Sequence, residues 1–278
     1  MAPIRAVVLV VSGGNSTYKA LEQTQKETWG VLNREDIKVL WLKGDSESTS
    51  WDSASGDLFV PVRESLAGVF HKTQLGIRWV LDNWAPQFVL RTNNSSFWNF
   101  DLLAKQLEVL PTLGLYGGFA GTFEGDPHAA LRRSLPYVSG AGIWMSSDVA
   151  EFFSKADVDL FSTLIDDCYM GKIAVEQNIP ISSIGRADLT DYLPPIATAH
   201  TRVKHWTKPS VTQRRFYLLN NLYLARTNDE RYQAARALRN LQISELAIDR
   251  RFDQPRLAAI KRLWGSLDEA VESFRTSI

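Results

Sequence analysis

Two adjacent carboxylates, Asp166 and Asp167 in "LIDDCYMGKIAVEQN", stand where a loop enters a helical segment. A carboxylate so placed can take the proton of an attacking hydroxyl, and repulsion between the two can raise the pKa of one of them. Acids also gather at helix amino ends through the helix dipole alone, so the pair leaves catalysis and simple capping both open. A second polar group follows an apolar run in "FVLRTNNSSFWNF" (88–100), with two amides and two hydroxyls and no charge beyond Arg91. Asn and Ser build turns through local hydrogen bonds, yet the carboxyl ends of strands in an α/β sheet are also where ligands sit. "SGAG" (139–142) places two glycines inside an apolar strand, a mark of a bulge or of close approach by a ligand or another backbone. Finally, "HTRVKHWTKPSVTQRRF" concentrates His200, Arg202, Lys204, His205, Lys208, Arg214 and Arg215. By itself such a run reads as a solvated basic loop leading into a helix.

Other chemistries find no support. His71, His128, His200 and His205 match no HExxH spacing, and Cys168 has no partner cysteine, so a structural metal site is not expected. There is no Walker lysine motif, no GxGxxG after the first strand and no GxSxG elbow. Lysine plus arginine equals aspartate plus glutamate, at 31 each, which gives no footprint for nucleic acid. The single cysteine excludes an internal disulfide framework and suits a reducing, cytoplasmic setting.

These residues need a scaffold, and the apolar pattern supplies one. "AVVLVV" (6–11) is short, β-branched and followed by Gly13-Gly14, so it reads as a buried first strand rather than a signal core. Ser16 can cap a helix that runs to about Trp29 and stops at Gly30. "IKVLWLKG" and "LFVPV" read as strands around a Ser/Asp-rich surface loop, and apolar residues at 66, 69, 70, 77, 80 and 81 have helical spacing. Further on, "FDLLAKQLEVL", "SSDVAEFFSKA" and "LIDDCYMGKIAVEQN" read as helices, with "LGLYGGFAG" and "YVSGAGIWMS" as strands. Strand and helix alternate, so the expected fold is α/β, an open mixed sheet flanked by helices. From Ser210 strand signals vanish, and Leu263, Leu267, Ala270, Val271 and Phe274 make a helical stripe. The expected division is therefore 1–209 as the site-bearing domain and 210–278 as a helical appendage. That appendage docks on its own domain, on a partner protein or on a membrane face.

"KETWG", "HKTQLGIRWVLDNW", the strand ending at the polar cluster, "YVSGAGIWMSSDVAEFF" and "IDDCYMGKIAVEQNIP" resemble, in sequence and order, the beta-1,3-galactosyltransferase and Fringe group of glycosyltransferases. The resemblance runs over roughly residues 5 to 185. It implies a GT-A-like fold that binds a nucleotide-diphosphate sugar, most naturally a UDP sugar, and an inverting transfer to a glycan, lipid-linked or protein acceptor. By this resemblance Lys26 matches the arginine of the family's Arg-x-Thr-Trp segment, with Thr28 and Trp29 after it, and Lys72 with Thr73 matches its Lys-Thr pair. Tyr137, Ser139, Gly140, Ala141 and Gly142 match the glycine strand beside sugar and acceptor. Asp167 matches the general base, with Asp166 orienting the acceptor or tuning its neighbour.

The family's acidic metal-binding cluster falls, after Arg91-Thr92, on Asn93, Asn94 and Ser95. Amide and hydroxyl oxygens are weak neutral ligands beside carboxylates, so no metal ion is expected to be required. A manganese ion, if used, would have to rely on Ser95, His200 and His205. Otherwise the diphosphate is expected to be met by Lys26, Lys72, Arg91, Asn93, Asn94, Ser95, His200, His205 and Lys208. The rival expectation is a catalytically inactive relative that binds a glycan or nucleotide sugar, or that partners an active transferase. Either protein is expected in the cytoplasm, free or peripheral at a membrane, in keeping with the lack of cysteine pairs.

Overall fold

Strand β1 (Ala6–Val11) is buried at every position, Ala6 to Val10 completely so. A strand apolar on both faces needs cover on both, and the structure provides it. Ala6, Val8 and Val10 face one apolar cluster with Trp29, Phe88 and Trp98, whereas Val7, Leu9 and Val11 face another with Ile77, Val80 and Phe153. The computed structural model describes residues 3–31, 34–123, 134–157, 164–188, 198–204 and 208–248.

Among the described residues the main sheet has eight strands, in the order β3-β4-β2-β1-β5-β8-β7-β9. These are β2 (Ile37–Lys43), β3 (Ser50–Asp52), β4 (Asp57–Phe59), β5 (Phe88–Asn93), β7 (Tyr116–Phe123), β8 (Leu135–Ser146) and β9 (Ile181–Ser183), with β1 near the middle. Neighbours β4, β2, β1 and β5 are parallel; β8 then runs antiparallel to β5, with Thr92 opposite Gly142. Helices α1 (Ser16–Glu27), α2 (Val69–Trp84), α3 (Phe100–Leu107), α4 (Ser147–Lys155) and α5 (Asp166–Glu176) flank it. The architecture is thus the expected α/β one, a mixed sheet between helical layers. A second, three-stranded sheet of β10 (Ala187–Asp188), β11 (His200–Arg202) and β6 (Ser96–Trp98) lies beyond the end of β5.

Some local expectations are corrected. Asn15, not Ser16, caps α1, since its side-chain oxygen accepts from Tyr18 N at 3.0 Å. Helix α2 begins only at Val69, because the Ser65 hydroxyl accepts from Gly68 N at 3.0 Å and holds a turn in place of a helical start. The Ser/Asp-rich loop contains the edge strand β3, whose Trp51 packs against Trp79 and Trp84 of α2. Those partners are remote in sequence, so composition alone reads the segment as loop.

Beyond Lys208 the chain forms α6 (Pro209–Leu224) and α7 (Asn228–Ile248). Phe216 and Leu219 of α6 and Leu238 of α7 belong to the same apolar cluster as Val8 and Trp29. Gln213 and Tyr217 bond to Thr24 and Glu27 of α1. The stripe from Leu263 to Phe274 lies outside the described residues. No helix among the described residues is long and apolar enough to cross a membrane.

Candidate active site

The carboxyl ends of parallel β1, β2 and β5 point the same way, and in α/β sheets this edge holds ligands. Here a chain of buried and partly buried polar contacts crosses it. Ser12, just past β1, donates its hydroxyl to Glu22 Oε2 at 2.5 Å and offers its carbonyl to Lys72 Nζ at 2.6 Å. Lys72 is 2% exposed and also holds both Glu64 oxygens at 2.8 Å, while Glu64 accepts from Gly44 N at 2.6 Å. Burial pushes the Lys72 ammonium down from its ordinary value, against the pull of Glu64. On the other side, Lys26 and Lys43 share Glu22 and Asp57 at 2.6 to 3.0 Å. Lys26 and Lys72 therefore stand at the expected edge with carboxylate partners in place. Glu64 and Glu22, which carry this arrangement, were not legible in the sequence; their partners sit on other elements.

The polar end of β5 is a turn stapled to α1. Asn93 Oδ1 accepts from Ser95 N at 3.0 Å and from Ser95 Oγ at 2.7 Å, a local Asx-type turn. Asn94 is 2% exposed and donates to Gln25 Oε1 at 3.1 Å, and Gln25 in turn donates to the carbonyls of Asn93 and Ser96 at 3.1 Å. Of the three, only Asn93 is more than slightly exposed. Thr28 hydrogen-bonds back into its own helix at Thr24 O, 2.7 Å away, and Trp29 is completely buried in the core.

Asp166 and Asp167 open α5, which packs on β8. Arg91, the fourth residue of β5 and 4% exposed, ion-pairs through Nη2 with Asp166 and donates through Nη1 to the Gly140 carbonyl. Burial raises the pKa of Asp166, while Arg91 opposes the shift and Asp167 adds to it. Asp167 is differently placed. Its Oδ2 accepts from Gly140 N at 2.8 Å and its Oδ1 from Cys168 N at 2.9 Å, and, like Asp166, the residue is partly exposed. The two acids are thus distinct: Asp166 is committed to a guanidinium, whereas Asp167 meets backbone N–H groups and the Cys168 thiol. Cys168 is no nucleophile in this setting, because burial and then Asp167 push its thiol up to about 12.

The rest of the glycine strand is equally engaged. The Ala141 carbonyl accepts from Thr92 Oγ1 at 2.5 Å and Ser96 Oγ at 2.6 Å. Ser139 Oγ accepts from Arg186 Nη1 at 2.9 Å, and the Arg186 guanidinium lies 4.2 Å from the half-exposed Phe119 ring. Tyr137 is partly buried, its hydroxyl pKa raised by burial and then by nearby Asp167. Gly142 leaves room for His200: a Cβ there would lie 2.5 Å from His200 Cε1. Arg186 and Phe119 join the predicted Ser139 from segments whose sequence carries no motif.

His200, 3% exposed, stacks on Trp98 directly across the small sheet, with ring centroids 4.3 Å apart and planes 8° from parallel. Its Nε2 lies 3.1 Å from Ser96 Oγ. Burial, helped by Arg186 and Arg202, holds its pKa well below 6.5, so the folded protein keeps the ring neutral. The unfolded chain binds a proton near pH 6.5 that the native state refuses, so stability is full above that pH and falls below it. Stability is therefore expected to decline as the pH is lowered from 6.5 to 5. Urea unfolding of wild type and His200→Gln across this range checks it. The variant should show the shallower slope; equal slopes would show that His200 is not the titrating group.

Lys208 is exposed just before α6, and Arg215 is buried with its Nη1 on the carbonyls of Val203 and Lys204 at 3.2 and 3.0 Å. His205 lies outside the described residues. Among those described, no three His, Cys, Asp or Glu side chains converge as ligands for a metal ion.

No family model and no curated protein matches the chain. Among solved structures it is similar to one described as a glycosyltransferase involved in the glycosylation of the major capsid of PBCV-1. That likeness has 11% sequence identity and a TM-score of 0.47, covering 77% of this chain and 99% of that one. Overlap of that extent says nothing about chemistry.

Proposed function

We propose that this chain is an inverting glycosyltransferase of GT-A-like architecture, using a nucleotide-diphosphate sugar, most naturally a UDP sugar, without a metal ion. The observation that carries it is Asp167: a partly exposed carboxylate at a helix amino end, held by the Gly140 N–H beside the glycine strand, with its acidic neighbour tied to Arg91. A base in this role takes the acceptor hydroxyl's proton as the oxygen bonds to the anomeric carbon. The bond from that carbon to the diphosphate breaks, its electron pair leaves with the nucleotide, and configuration inverts. Tyr137, Ser139, Gly140, Ala141 and Gly142 form the sugar and acceptor side. Lys26, Lys72, Asn93, Asn94, Ser95 and Lys208 form the proposed donor side, where the leaving charge must be stabilised.

The donor set supports the metal-free reading. Ser95 spends its hydroxyl on Asn93, His200 is buried against Trp98 and Ser96, and the turn offers neutral oxygens where manganese wants carboxylates. These residues do not fit a divalent ion.

A second reading, a non-catalytic binder of nucleotide sugar or glycan, is favoured by one observation. Lys26 and Lys72 already have carboxylate partners, which a diphosphate would have to displace. One experiment separates the two. Purified protein with a panel of nucleotide sugars and acceptors in excess chelator should release nucleotide at a rate that added manganese leaves unchanged. Donor binding by calorimetry with no release across the panel would instead establish the binder, and activity only with manganese would overturn the metal-free reading.

A further inference from the structure

Gly140 is held at both of the peptide units that meet at its Cα. Its N–H donates to Asp167 Oδ2 at 2.8 Å, and its carbonyl accepts from Arg91 Nη1. The other arm of the same guanidinium pairs with Asp166, so one ring of contacts joins β5, β8 and the first turn of α5. A side chain at position 140 would collide with Arg91 Nη1 and crowd Asp167 Oδ2 at 3.2 Å; only glycine lets the three groups meet.

We infer that Arg91 is a positioning residue that aims Asp167, and not a ligand of the donor diphosphate. This rests on the reading of Asp167 as the base. The physical argument is the fork. A guanidinium presents parallel donors in one plane and can span a carboxylate and a carbonyl at once, and Arg91 uses both arms in this way while only 4% exposed. By tying the Gly140 carbonyl of β8 to Asp166 in the first turn of α5, Arg91 sets that turn against the strand, and hence the approach of the adjacent Asp167 to the Gly140 N–H. A lysine keeps the charge but carries all its donors on one nitrogen, so it cannot reproduce the two separate Nη contacts by which Arg91 spaces Asp166 from the Gly140 carbonyl.

The test uses Arg91→Lys and the double variant Arg91→Gln/Asp166→Asn, which removes both charges together and leaves no buried charge alone. In each, kcat should fall about 100-fold, the scale of a small misplacement of a reacting group. The dissociation constant for UDP, measured by calorimetry, should stay within about twofold, as for a residue that makes no ground-state contact with the donor. Hydrogen exchange at the Gly140 amide should quicken about tenfold as the ring opens. A wild-type kcat in Arg91→Lys, or UDP affinity about tenfold weaker at unchanged kcat, would overturn the inference. If the wild-type protein neither binds UDP nor transfers sugar, the transferase reading fails. The exchange measurement still judges the ring by itself, and an unchanged Gly140 rate in Arg91→Lys would sink it.

Discussion

Asp167→Asn is expected to reduce sugar transfer by about 100- to 10,000-fold, the range that a positioned general base contributes, while nucleotide affinity changes little. The substitution is nearly isosteric, and an amide oxygen can still accept the Gly140 N–H that now reaches Asp167 Oδ2 at 2.8 Å. What the amide lacks is a basic site for the acceptor's proton. Loss of turnover with retained UDP binding therefore isolates proton transfer from site collapse. Single-turnover nucleotide release with saturating acceptor, alongside calorimetry, measures both. Transfer at the wild-type rate would move the base elsewhere. Asp166 is a poor second choice, since its carboxylate is committed to Arg91 and its removal leaves a buried guanidinium uncompensated.

Lys72→Met is expected to destabilise the fold by about 3 kcal/mol, the lower end for breaking a buried ion pair. Lys72 is 2% exposed, and its ammonium binds Glu64 and the Ser12 carbonyl at once. Its loss strands Glu64, whose side chain is 18% exposed, with little water to replace the partner. The double variant Lys72→Met/Glu64→Gln should recover part of the loss, because no charge is then left alone. The coupling in the cycle should be about 1 to 3 kcal/mol, read from urea midpoints at constant m. Additive effects would mean that the pair contributes nothing beyond its separate parts. The same cycle bears on function: a network that holds Lys72 this firmly must yield if the lysine is to meet a diphosphate.

The chain itself specifies the layers. The uninterrupted apolar run of β1, the helical spacing in α2 and the alternation of such segments depend on contacts between a residue and its own element's face. They can be read locally, and strands β1, β2, β5 and β8 stand where the pattern puts them. The same holds for the polar residues after Thr92 as a turn, since an Asn oxygen meeting the backbone two residues on is a local event. Tertiary structure alone decided what those residues face. Asn94 answers to Gln25, 69 positions earlier. The two adjacent acids look alike in sequence, yet Arg91, 75 positions before Asp166, claims one, and the other meets the Gly140 N–H across the strand. Such pairings depend on how β5, β8 and α5 are set against one another by the two apolar clusters. That placement is a property of the whole packed molecule, carried by no short stretch of the sequence.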